Sequence, residues 1–232
     1  MTSPSASKSA CIIGASRGLG LGLARRLAEK GYTVFATQRS HSAELADAAA
    51  ASDGAIKVHE MDVTDAASIA ALAQAIPAGS LDILVLNAGV YGGGEQDLAD
   101  LTRDNVADIL MTNAVCPARA AVGLLPSMKD GGTIGMMSSK MGSIDDSSGG
   151  SNLYRLSKVG QNMLSRSLFE KHARPRGIGV ISLHPGWVQT DMGGPNALID
   201  VDTSVSGMID VLEAEREPRH AFLAYDGQAV PW

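Results

Sequence analysis

Material for disulfides and metal sites is nearly absent from this chain. Its 232 residues hold only two cysteines, Cys11 and Cys116. Both read as small core residues, at spacings that suggest neither a zinc site nor a disulfide framework. Basic charge is short as well: 19 Lys and Arg stand against 25 Asp and Glu, a formal net charge of −6. That balance argues against nucleic acid or an anionic membrane as a partner of the whole surface. It leaves room for a local basic pocket that takes a small phosphate. Aromatic residues make up only 4% of the chain. Residues 1–9 are Ser-rich and too polar for a signal peptide, and the apolar run after them is far too short to cross a bilayer. The expectation is a reduced, soluble, cytoplasmic protein with a flexible tail over 1–9.

What the chain does have is length, glycine and alternation. A chain of this size can bury a large core as one domain, here 10–232, without disulfides or metals. Short apolar, β-branched runs at 10–13, 32–37, 56–61, 82–86, 133–137, 178–183 and 221–224 read as strands. Helical stretches at 18–30, 43–51, 65–76, 97–110, 112–125, 152–172 and 201–215 fall between them. Gly31 sits where a helix C-cap glycine belongs, Pro77 and Pro126 stop two others, and Gly92, Gly93 and Gly94 form a flexible loop. The alternation predicts an α/β fold: a doubly wound parallel sheet of about seven strands with helices on both faces. Its ligand sites should lie at the carboxyl ends of the strands.

The run after the first strand, IIGASRGLG, sharpens this into a Rossmann-type reading. Gly14, Gly18 and Gly20 let the backbone turn tightly and bring N–H groups against a pyrophosphate, with Ser16, Arg17 and Leu19 between them. The second strand ends in Gln38 and Arg39, where an NAD-binding chain typically offers a carboxylate to the ribose 2′-hydroxyl. Arg17 and Arg39 suit a 2′-phosphate, which guanidinium groups grip bidentately. NADP(H) is therefore the preferred cofactor, with NAD(H) possible.

Tyr154 and Lys158 stand four apart in a helical segment, which puts them on one face, roughly 6 Å apart along the axis. A phenol beside an ammonium is one way to make a tyrosine that exchanges protons near neutral pH.

Taken together, these motifs resemble the short-chain dehydrogenase/reductase family over nearly the whole chain. Gly14, Gly18 and Gly20 match its Gly-rich turn, with Ile13 where Thr is usual. Asp62 and Val63 resemble its adenine-contacting pair. Asn87, Ala88 and Gly89 resemble its NNAG motif, with Leu86 for the first Asn. Asn113, the Ser138–Ser139 pair and Tyr154-x-x-x-Lys158 match its catalytic positions, and HPGWVQTDM resembles the segment that closes over the nicotinamide. The later segments SLHPGWVQTDMGG and YDGQAVPW resemble the C-factor/sniffer-like branch, which includes carbonyl reductases.

The resemblance implies hydride transfer between a nicotinamide and a carbonyl or carbinol. Tyr154 would be the general acid/base, and Lys158 the residue that lowers its pKa and holds the ribose. Ser139, rather than Ser138, would donate to the substrate oxygen, and Asn113 would hold a relay water. Pro185, Gly186, Val188 and Thr190 would pack on the cofactor. Tyr91, Met141, Trp187 and Met192 are candidate walls for the small-molecule substrate. Lys140 reads as solvated, His184 as a hydrogen-bonded structural histidine, and the segment after Thr190 as a small lid. A homodimer or homotetramer through the helices around 97–125 and 152–172 is expected. Two other functions stay open: a cofactor-binding, C-factor-like signalling protein with little turnover, and an epimerase or dehydratase.

Overall fold

Seven of the apolar runs pair into one parallel sheet in the computed structural model, which describes residues 8–93, 96–214, 217 and 219–232. The strands are β1 (Ser9–Ile13), β2 (Thr33–Gln38), β3 (Ile56–Glu60), β4 (Leu81–Leu86), β5 (Met128–Met137), β6 (Gly179–His184) and β7 (His220–Ala224). Their order is β3-β2-β1-β4-β5-β6-β7. The chain reverses its direction of winding between β1 and β4, which opens a crevice at their carboxyl ends.

Helices α1 (Gly18–Glu29), α2 (Ala43–Ala50) and α7 (Val201–Glu213) cover one face; α3 (Ala66–Ala75), α4 (Arg103–Leu110), α5 (Cys116–Leu124) and α6 (Asn152–Leu168) lie on the other. Each face has its own core, one built on Leu23, Leu27, Leu45 and Met208, the other on Leu72, Leu84, Leu124 and Phe169. Cys11 and Cys116 are both buried in the second. The cap at Gly31 forms as expected: its φ is +85°, and the amides of Gly31 and Tyr32 close back on Ala28 and Leu27.

Four expectations need correction. The tail is ordered by residue 9: Ser9 is buried in β1, its amide donates to Asp82 Oδ2 (2.7 Å) and its hydroxyl to the Ser80 carbonyl (2.6 Å). The rest of that expected tail, residues 1–7, lies outside the described residues, as do Gly94 and the end of the last expected helix at Glu215. The expected helix over 97–110 starts only at Arg103, where Thr102 and Asn105 form a reciprocal capping box. It does not stop at Leu110 either. A π turn at Met111–Val115 carries it into α5, so α4 and α5 are one bent rod. This run, Arg103–Ser127, is long and apolar enough to cross a membrane by composition, but half of that apolar window is packed inside the domain. Finally, β5 begins five residues early, because Lys129 reaches back to the Asp82 carboxylate (2.8 Å) and extends the pairing with β4 past the Asp130–Gly131–Gly132 irregularity.

The β7 edge is covered by the chain's own residues: Leu223 bridges Ala229 antiparallel, and the Trp232 ring stacks on His220 at 4.6 Å. His220 Nε2 meets the buried Ser165 hydroxyl at 2.7 Å. Burial pulls His220 from 6.5 down to about 4, and His184 likewise to about 4. A histidine buried neutral stabilises the fold fully above its unfolded value and loses that contribution as protons bind the unfolded chain first. The urea midpoint is therefore expected to fall as pH drops from 6.5 toward 4. In His220→Asn the fall should be smaller, with His184 and His59, also lowered by burial, supplying the remainder. An unchanged pH dependence in that variant would contradict this account.

Candidate active site

The Gly-rich turn is shaped by close approach. At Gly14 (φ +87°) an added Cβ would come within 2.9 Å of the Ala88 backbone. At Gly20 it would run into the Gly14 carbonyl. That carbonyl also accepts from Asn87 Nδ2 (2.7 Å), while the amides of Asn87 and Ala88 donate to Ile13. The motif after β4 is thus riveted to the turn after β1. Among the described residues no side chain caps the N-terminus of α1, which begins at Gly18. Free amides, dipole and lack of side-chain bulk fit the pyrophosphate of a dinucleotide. Ser16 anchors the turn through its carbonyl, which accepts from Ser42 Oγ (2.7 Å), and Leu19 packs on the core.

The two arginines expected to take a 2′-phosphate stand in different surroundings. Arg39 is exposed. Arg17, however, is paired with Asp191 at 2.7 Å, with side chains 72% and 76% exposed. An ion pair that open to water is weak, worth about 0–1 kcal/mol, so it can exchange for a phosphate. Asp62 is held below the usual carboxylate range, first by hydrogen bonds from Thr64 and then by attraction to Arg39. Val63 beside it is buried.

The buried face of α6 carries the other half of the site. A soluble helix normally turns an apolar stripe to its core. Here Tyr154, Ser157, Lys158, Gln161, Asn162 and Ser165, spaced three and four apart, are all buried. Each finds work. Ser157 donates to the Tyr154 carbonyl (2.8 Å) and accepts from Asn113 Nδ2 (3.0 Å). Asn113, in the π turn, also holds Val90 by both its amide and carbonyl (2.8 and 2.7 Å). Lys158 Nζ donates to the Met137 carbonyl (2.8 Å) and to Gln161 Oε1 (3.2 Å). A Cβ on Gly89 would lie 3.2 Å from Asn113 Oδ1 and 3.7 Å from Lys158 Nζ. Gly89 therefore joins the Gly-rich turn to the Tyr–Lys helix.

The two serines separate cleanly. Ser138 is buried and donates to Asn162 Oδ1 (2.7 Å), whose amide in turn holds the Gly142 carbonyl. The Ser139 hydroxyl lies beside the Tyr154 phenol and favours its ionised form, and its Oγ accepts from the Met141 amide (3.2 Å). Lys140 is exposed, as expected, and pairs with Asp146 at 3.3 Å.

Lys158 was expected to lower the Tyr154 pKa; burial dominates around it, and Tyr154 is pushed up to about 12. Desolvation is the first cause, and the Ser139 hydroxyl only partly opposes it. Burial likewise drops Lys158 from 10.5 to about 7, and its ammonium sits 5.6 Å from the Tyr154 ring centroid, tied to Met137 and Gln161. His184 is also unlike its expectation: its Nδ1 is buried with no hydrogen-bond partner among the described residues.

Of the candidate walls, Tyr91 and Met141 come to Tyr154. The Tyr91 ring lies 5.0 Å from the Tyr154 ring, and Met141 packs on the same small cluster. Trp187 and Met192 are exposed on the loop after β6, where Trp187 Nε1 donates to the Gly193 carbonyl (2.8 Å). That loop is tied down. Val188 bridges Ile199, the Pro185 carbonyl accepts from Ser204 (2.6 Å), and Gly186 turns at φ +86°. The Thr190 methyl would lie 3.5 Å from a Cβ on Gly18, so the loop meets the Gly-rich turn.

Sequence reasoning missed three residues. Gln96 is buried, accepts from the Tyr154 amide (2.9 Å) and donates to the Tyr91 carbonyl (3.0 Å). Ser151 sits in the left-handed region (φ +49°), and its hydroxyl meets the Tyr91 hydroxyl at 2.6 Å instead of capping α6. Gln161 holds Lys158. Only Gln161 had a signal, as a polar residue on the Tyr154–Lys158 face.

The sequence profile of short chain dehydrogenases matches residues 8–197. C-signal of Myxococcus xanthus is 39% identical over 171 residues, covering 70% of this chain and 99% of that protein. Among solved structures, a short-chain dehydrogenase/reductase from Burkholderia multivorans with bound NADP superposes with a TM-score of 0.89 at 35% identity, over 97% of this chain and 100% of that one. A carbonyl reductase from Pseudomonas aeruginosa PAO1 in complex with NADP gives 0.88 at 32% identity, over 97% and 99%. With its sheet order, its Gly-rich turn and these relatives, the chain belongs to the short-chain dehydrogenase family of oxidoreductases, on the branch that contains C-signal.

Proposed function

We propose that this protein is an NADP(H)-dependent oxidoreductase that interconverts a carbonyl and an alcohol, with Tyr154 as the proton donor and acceptor. The observation that carries the reading is the convergence of Tyr154, Ser139 and Lys158 at the end of β5, joined through Gly89 to the Gly14–Gly20 turn. The similarity to NADP-bound relatives supports the cofactor.

The bound cofactor would donate hydride in reduction and accept it in oxidation. The chain's own residues do the rest. Gly14, Ser16, Gly18, Leu19 and Gly20 would cradle the pyrophosphate, and Arg39 with Arg17, released from Asp191, would take the 2′-phosphate. Asp62 and Val63 would border the adenine, Asn87 to Gly89 the ribose side, and Pro185, Gly186, Val188 and Thr190 the nicotinamide side. Ser139 donates to the substrate oxygen as negative charge develops there. Tyr154 delivers its phenolic proton to that oxygen in reduction and removes it in oxidation. Lys158 offers positive charge beside the phenol, and Asn113 fixes the backbone around it. Tyr91 and Met141 border the substrate. Pairing of two copies through the helices around 97–125 and 152–172 is part of the proposal, since Met111, Val115, Val122, Leu156 and Met163 are exposed there.

The similarity to C-signal keeps a second reading: a cofactor-binding signalling protein with little turnover. Purified protein offered NADPH or NADH with a panel of aldehydes and ketones separates the two. Oxidation of NADPH in preference to NADH is expected, and Tyr154→Phe should bind NADPH as tightly while losing turnover by about a thousandfold or more. Tight NADPH binding without oxidation across the panel would favour the signalling reading; wild-type turnover in Tyr154→Phe would overturn the mechanism.

The two serines give an independent check. Ser139→Ala should lower kcat by roughly a hundredfold with little change in melting temperature. Ser138→Ala should do the reverse, costing about 1–3 kcal/mol of stability by stripping a partner from buried Asn162. Equal kinetic losses in both variants would contradict the assignment.

A further inference from the structure

Lys158 is the one charged side chain on the buried face of α6, and the chain meets that charge with an unusual neighbour. Gln161 is fully buried, at 0% exposure. Its Oε1 accepts from Lys158 Nζ at 3.2 Å. Its Nε2 is buried too and has no hydrogen-bond partner among the described residues. An amide with one end unsatisfied costs stability, whereas an apolar side chain of the same size carries no polar atom of its own to satisfy. The fold keeps the amide, and all that it contacts by hydrogen bonding is the ammonium.

We propose that Gln161 is a positioning residue that holds Lys158 charged and aimed beneath Tyr154. The proposal concerns the Gln161–Lys158 coupling; its consequence for turnover rests on the functional reading above. A buried ammonium needs acceptors for its N–H groups. The Met137 carbonyl supplies one at 2.8 Å and Gln161 the second, which leaves one donor for a ligand. A carbonyl acceptor favours the charged form without cancelling its charge, as a carboxylate at this position would. Gln161 can also serve the neutral amine. Rotated by half a turn, its Nε2 becomes the donor that a deprotonated lysine can accept, so the unsatisfied end has a use in the other protonation state.

The surroundings leave little else to set this charge. Tyr154 is the titratable group that Lys158 approaches, at 5.6 Å from the ring centroid. On the β5 side the contact is the Met137 carbonyl, and from the π turn it is Asn113, both uncharged. Lys140 and Asp146, on the loop whose Gly142 packs on Lys158, pair with each other at 3.3 Å. Burial alone displaces Lys158, to about 7, a value at which a single hydrogen bond decides how much of it is charged.

The test is the nearly isosteric Gln161→Met, in the full chain, read by the ε-carbon NMR shift of 13C-labelled lysine with Lys158 assigned through Lys158→Met. Losing one hydrogen bond to a charged group should lower the Lys158 titration by about one pH unit or more, with the melting temperature held or raised. In kinetics, the acid limb of alcohol oxidation by Gln161→Met should move to higher pH, because a less charged Lys158 leaves Tyr154 harder to ionise. An unchanged Lys158 titration overturns the proposal, as would a loss of melting temperature with no change in either titration. A lowered Lys158 titration in a protein whose Tyr154→Phe variant remains active upholds the coupling and overturns only the catalytic reading.

Discussion

A positive charge buried under a helix constrains most of what surrounds it. The Lys158 ammonium cannot sit among aliphatic side chains without acceptors. The Met137 carbonyl at the end of β5 and Gln161 one turn along α6 provide them, and that fixes how α6 lies on the sheet. Once α6 is placed, Ser157 meets Asn113, Asn162 meets Ser138, and Ser165 meets His220 on the edge strand β7. The stripe that would ordinarily be Leu and Val becomes a set of specific hydrogen bonds. Such a network tolerates one register, because a shift of one residue would strand several buried polar groups at once. The site is precise because its support is polar.

The parallel sheet and the Gly-rich turn were legible because each depends on local signals. Alternating apolar runs and helical stretches gave every strand to within a few residues, apart from the early start of β5. There the extension depends on Lys129 reaching Asp82, a contact 47 residues apart that no local pattern announces. The division of α4 from α5 failed for a related reason. A π turn keeps the chain helical through Met111–Val115, while its register shift looks, in sequence, like an interruption.

The residue set of the site was legible, but its electrostatics were not. Four-residue spacing puts Lys158 beside Tyr154 in any helix, and from that alone the ammonium should ease ionisation of the phenol. Depth reverses the sign: desolvation raises Tyr154 and lowers Lys158, and neither effect is visible in spacing. Arg17 taught the same lesson at the surface, where Asp191, 174 residues away, occupies its guanidinium. The surroundings of the Tyr154 and Tyr91 rings were least legible. Gln96 and Ser151 shape them through one amide and one strained backbone position, from loops with no periodic pattern at all.

Burial pushes Tyr154 away from the range in which a phenol exchanges protons at neutral pH. In the proposed reaction the oxidised cofactor, whose nicotinamide ring is positively charged, would complete the field that Lys158 begins. The direct measurement is the ring-carbon NMR titration of 13C-labelled Tyr154, with and without saturating NADP+. In the protein alone, Tyr154 should stay protonated through the whole pH range in which the fold persists. With NADP+ bound, phenolate should appear by about pH 8, and Lys158→Met should abolish that change. A Tyr154 titration that NADP+ leaves where it was would contradict the central claim.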